Sequence, residues 1–139
     1  MFSNNRQQLR KTFFDVWEKT QENTHLAPAE KQIADIIFLH PEYHTTLAQP
    51  EKYLDKDYLP EGGELNPFLH MSLHLSIRDQ ISTNRPEGIT PAYQQLSAKL
   101  TDQHELEHRM MNCLAETLWQ QQQPIEQLNH YLTKIRALL

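Results

Sequence analysis

The sequence predicts an all-α fold: a four- or five-helix bundle with one long loop over about residues 48–65, in a single domain spanning residues 1–139. Three observations predict it. Apolar residues recur three and four apart along most of the chain, the period of an amphipathic helix. Pro28, Pro67, Pro91 and Pro124 stand where such patterns begin, and proline suits the first turn of a helix. Three glycines and few valines leave little from which to build strands.

Residues 4–22 read as the first helix, with Leu9, Phe13, Val16 and Trp17 on its inner stripe and Asn23 and Thr24 closing it. The second helix starts at Pro28; Ile33, Ile36 and Ile37 make its stripe, and His40 falls on the same stripe. Pro41 disfavours helical geometry at His40, so the helix ends or kinks there, and PEYHTTL starts a short new turn carrying His44. Residues 48–65 contain two prolines and a Gly-Gly pair and form the long connection, with a short helical turn around Tyr53 to Tyr58. A connection of this length in a compact domain is often functional.

Asn66-Pro67 is a cap followed by a first-turn proline. The helix NPFLHMSLHLSIRDQIS runs to about Ser82 and is apolar round most of its circumference. Its polar strip is Ser72, Ser76 and Asp79, and His70 and His74 lie opposite, on its deepest side. Thr90-Pro91 repeats the cap signal and opens the longest helix, from about 91 to 122. The seam of that helix is Leu96, Leu100, Met111, Leu114, Ala115 and Leu118, and it also holds His104, Glu107 and His108, while Glu105 and Arg109 point away. In the last helix Ile125, Leu128, Leu132 and Ile135 face inward and His130 faces solvent.

A net charge of −5 argues against nucleic acid as a partner, because nucleic acid selects a basic surface. No apolar run reaches the roughly 18 residues of a membrane span. The N-terminal stretch MFSNNRQQLRK lacks an apolar signal region, and the one cysteine, Cys113, forms no internal disulfide, so the expected location is the cytoplasm. Cys113 falls off the seam and reads as an inert small residue against a neighbouring element. A homo-oligomer is compatible with these features; the protein partner is unknown.

The chemistry-bearing pattern is histidine. Six of the eight histidines form three pairs four residues apart: His40/His44, His70/His74 and His104/His108. Random placement gives roughly half such a pair. Residues four apart share a helix face and aim at one point. Two imidazoles and a carboxylate in an apolar seam are costly unless something pairs them, and a metal ion pairs them. His70, His74, His104 and His108 are the expected ligands, joined by His40, His44 or Glu107. Six histidines exceed a four-coordinate set, so either two ions bind or some rings support the ligands from behind. A set short of carboxylates predicts iron or zinc as the cofactor, a divalent transition metal rather than magnesium or calcium. His25 and His130 read as non-ligands, and Glu64 as a solvated loop carboxylate.

His104-Glu105-x-x-His108 also matches the zinc-peptidase signature, in which the glutamate activates water. Against that reading, Glu105 leaves the seam, no strand is evident to bind an extended peptide, and the pattern is short. Glu105-x-x-His108 fits half of the ferritin-like carboxylate pattern, and the only other such unit, Glu22/His25, sits at a helix end.

The stretches NPFLHMSLHLSIRDQ, RPEGI and HELEHRMMNCLAETLWQ together resemble a family of small bacterial proteins known only as domain of unknown function 1841. The likeness covers most of the chain. It implies a bacterial, cytoplasmic protein, and the family name brings no activity with it. The histidine layout also looks like two groups of metal-binding helical bundles, the hemerythrin-like di-iron proteins and the DinB-like proteins with one three-histidine metal; ligand order and spacing differ from both, so no residue is carried over. Three function classes follow: a metal protein that handles or senses dioxygen or metal, a hydrolase or transferase that activates water, and an interaction bundle with a closed or absent metal site.

Overall fold

The structure, a computed structural model, describes residues 2–58, 66–119 and 124–138. Glu64 and the end of the predicted long loop, 59–65, lie outside the described residues, as do the side chains of Leu118, Ile125 and Leu128. The described chain is all-α. Its helices are α1 (Phe2–Gln21), α2 (Pro28–Phe38), α3 (His44–Leu47), α4 (Pro50–Tyr53), α5 (Pro67–Thr83), α6 (Ile89–Lys99), α7 (Gln103–Trp119) and α8 (Pro124–Arg136), with a 3-10 turn over Pro41–Tyr43. None of them is long and apolar enough to cross a membrane.

The chain divides into two compact units, Met1–Ser72 and Leu73–Leu139. In the first, α1 packs against α2 and α3. Its apolar interior contains Phe13, Phe14, Val16, Ala34, Ile36, Ile37, Leu47 and Phe68. Phe68 meets Phe13 and Phe14 with ring centres 6.3 and 5.4 Å apart. α1 ends as its sequence predicts: Asn23 takes a left-handed conformation (φ 55°), and the Thr24 N–H donates back to the Lys19 carbonyl at 2.9 Å. Phe13 and Val16 of the predicted stripe are buried, but its first position differs. Leu9 is exposed and Arg10 is buried. The guanidinium is drawn in because its Nη1 donates to three carbonyls at the end of α4, those of Tyr53, Leu54 and Lys56, at 3.1, 3.0 and 2.7 Å. The helical turn predicted around Tyr53 to Tyr58 forms earlier, over Pro50–Tyr53, where proline supplies the first-turn geometry.

The second unit packs α8 on α6 and α7 around Ile77, Ile89, Leu96, Leu106, Met110, Tyr131 and Ile135. Cys113 lies within this core. The long helix predicted from 91 to 122 is two helices. Leu100 is extended (φ −105°, ψ 118°), and Asp102 starts α7 by accepting a hydrogen bond from the Glu105 N–H at 3.1 Å. α6 starts at Ile89 rather than after Thr90. Gly88 caps it with φ 101°, a conformation open to glycine, and Asn84 Oδ1 accepts from the N–H groups of Gly88 and Thr90, both at 3.1 Å. His130, expected in solvent, is half-buried.

α5 begins in one unit and ends in the other. Asn66 caps it as predicted, Oδ1 accepting from the N–H groups of Phe68 and Leu69 at 3.0 and 3.2 Å. Asn66→Ala is expected to lose about 1 kcal/mol of stability, read by chemical denaturation, with Asn66→Asp restoring most of it. Equal stability of the alanine variant would show that this cap does not set the start of α5.

Candidate metal centre

Three imidazoles meet in the second unit. α5 supplies His74, which is fully buried. α7 supplies His104 in its first turn and His108 in its second. The α7 start at Asp102 sets their register, and burial of Leu106, Met110 and Cys113 turns the helix so that Glu107 is interior and His108 half-buried. His104 is exposed. The ring centres of His74 lie 5.7 Å from His104 and 5.4 Å from His108, and those of His104 and His108 lie 4.1 Å apart. An ion bonded to imidazole nitrogens at about 2.0–2.1 Å in tetrahedral geometry holds neighbouring ring centres about 5 Å apart. The observed separations bracket that value. His74 and His108 each offer one ligand nitrogen, and these two atoms lie within 4.8 Å of one another.

Glu107 is the hub of this arrangement. It is buried, and its Oε1 accepts from His74 Nε2 and from Arg78 Nε, both at 2.8 Å. Its Oε2 accepts from the Tyr93 hydroxyl at 3.3 Å. Burial alone raises a carboxyl pKa, but the hydrogen bond from His74 and the charge and hydrogen bond of Arg78 outweigh it, so the Glu107 carboxyl is held below its ordinary value. The carboxylate, accepting from Nε2, fixes the His74 tautomer with its proton on that nitrogen. Burial and then the Glu107 charge raise the pKa of Tyr93, which keeps its hydroxyl a donor. Glu105, the glutamate of the peptidase-like signature, is exposed and ion-paired with Arg109 at 2.8 Å.

The first unit holds the remaining candidates. Buried His40 donates from Nδ1 to the Ile36 carbonyl at 2.8 Å and stacks on Tyr43, ring centres 5.6 Å apart. His70 meets His40 edge-on at 4.8 Å. His44 donates from Nε2 to the Ile37 carbonyl at 2.9 Å, with its ring 4.5 Å from that of Trp17. The 3-10 turn at Pro41 separates His40 from His44, so this pair does not share one helix face. His25 is exposed.

Two neighbours of Glu107 escaped sequence reading. Arg78 lies one turn beyond His74 on the same face of α5, so its spacing was a usable signal. Tyr93 lies on α6, and no spacing rule connects it to Glu107 across the break at Leu100.

Glu107→Leu leaves His74, Arg78 and Tyr93 without their acceptor and is expected to cost about 3 kcal/mol in denaturant unfolding. Glu107→Gln, which keeps an acceptor, costs less. The pKa of Glu107 is lowered, so the stability it contributes is complete above its unfolded-state pKa and is lost as pH falls through its folded value. A wild-type minus Glu107→Leu stability difference that stays constant from neutral pH through the carboxylate range would contradict this account.

Residues 5–137 match the model of one family, described as a domain of unknown function (DUF1841). No curated protein matches the chain, and no solved structure matches it. The layout likeness to hemerythrin-like and DinB-like bundles therefore gains no support from a matched protein.

Proposed function

The chain belongs to that family, and we propose that it is a metal-binding protein that holds a divalent transition ion, iron or zinc, at His74, His104 and His108 and presents an open coordination position to a small ligand, dioxygen or water. One observation carries the reading: the imidazoles of His104 and His108 lie against that of fully buried His74, whose Nε2 is held by a buried carboxylate. A carboxylate behind a histidine, orienting it toward a metal, is the usual support of a ligating imidazole. Neutral nitrogen ligands suit iron and zinc. Three protein ligands leave a fourth position for a reactant, and the exposure of His104 supports solvent access to it.

In this reading Glu107 supports a ligand rather than binding the ion, because its oxygens already serve three donors. Water activation by Glu105 gains no support, since its carboxylate is engaged by Arg109 at the surface. His44 serves the packing of the first unit through Trp17 and Ile37. His40 serves the first unit through the Ile36 carbonyl and the ring of Tyr43.

The test is metal content of protein purified without a histidine tag, loaded with Fe(II) or Zn(II) and desalted. About one equivalent per chain is expected in the wild type, with affinity at least tenfold lower in His74→Ala and His108→Ala and about 10- to 100-fold lower in Glu107→Ala. A folded wild type that retains no ion, or a His108→Ala variant that retains it equally, overturns the proposal.

A further inference from the structure

The first unit carries an open groove between α1 and the α3–α4 segment. Its floor is apolar: Phe14 and Trp17 come from α1, Leu47 and Ala48 from the end of α3, and Pro50 and Leu54 from α4 and its cap. Phe14 is backed by Phe68, ring centres 5.4 Å apart, and Trp17 by His44 at 4.5 Å. The cavity measures about 620 Å³. A second of about 320 Å³ shares Lys11 and Leu54 with it and reaches Gln7. Together they follow α1 from Gln7 to Gln21, a run of about 21 Å, or about four turns of a second helix.

The rim gives the groove a sign. Lys11, Asp15, Glu18 and Glu22 succeed one another at helical spacing, and all four are exposed. Among the described residues no hydrogen bond or ion pair engages the side chains of Asp15, Glu18 or Glu22. Lys19, the next cation on α1, is paired with Glu30. Three negative charges thus stand against one positive charge beside an apolar floor. Helix-in-groove recognition pairs an apolar face with such a floor, and complementary charge along the edge sets partner and orientation. A second copy of this chain would bring a net charge of −5 to a negative rim. We infer that the groove docks an amphipathic helix of a partner protein, apolar on one face and basic along its edge. Its chemistry needs no ion in the second unit.

The experiment is fluorescence anisotropy of two labelled model helices of about 18 residues titrated with the full chain. One is built of leucine and lysine at helical period, and the other has glutamate at every lysine position. The lysine peptide is expected to bind wild type at least tenfold more tightly than the glutamate peptide, and more weakly as salt rises. At least tenfold loss is expected in the combined Asp15→Asn, Glu18→Gln, Glu22→Gln variant. A similar loss is expected in Ala48→Gln, which puts bulk on the floor and leaves the charge unchanged. All of these residues are exposed, and circular dichroism checks that each variant keeps the wild-type helix content. Absence of binding to wild type, equal binding of the two peptides, or an Ala48→Gln variant that binds the lysine peptide as tightly as wild type overturns the inference. Sedimentation of wild type as a dimer that Ala48→Gln dissociates would give the groove to a second copy and overturn it as well.

Discussion

The second unit depends on one buried carboxylate. Glu107 is an interior residue on a helix whose neighbours Leu106 and Met110 are also interior, and an ionised group there is tolerable only if its oxygens are satisfied. Donors from α5 and α6 satisfy it: His74 and Arg78 from the first, Tyr93 from the second. The same contacts join three helices and hold the His74 ring in place. Local stability and the candidate function therefore rest on one set of hydrogen bonds.

α5 gives those bonds their setting. Its start is fixed by Asn66, and its buried residues pack on aromatic rings near that start and on aliphatic side chains further along. A continuous helix keeps His74 and Arg78 one turn apart on one face, so neither can move relative to Glu107 without moving the other. α7 supplies the opposing histidines from its first two turns. Its independent start at Asp102, rather than continuation from α6, allows Tyr93 and Glu107 to approach from different helices.

Much of this was legible in the residues. Proline and asparagine at helix starts located α2, α5 and α8, because their preferences for first-turn and cap positions are local. The histidine pairs on α5 and α7 were legible from spacing alone. The break at Leu100 was not read from periodicity, since no proline or glycine marks it; Asp102-x-x-Glu105, a cap pattern, was the available sign. Arg10 in place of Leu9 was illegible because its reason, three carbonyls more than forty residues away, is tertiary. Depth was equally illegible: His104 and His108 share a face, yet the first lies exposed at the helix start and the second is half-buried.

The most direct check of the central claim is X-ray absorption at the metal edge of the loaded protein. The account predicts a first shell containing about three nitrogen scatterers at about 2.0–2.1 Å, with the outer-shell pattern of imidazole rings and at least one oxygen ligand in the open position. A shell made of oxygen alone, without imidazole scattering, would contradict it.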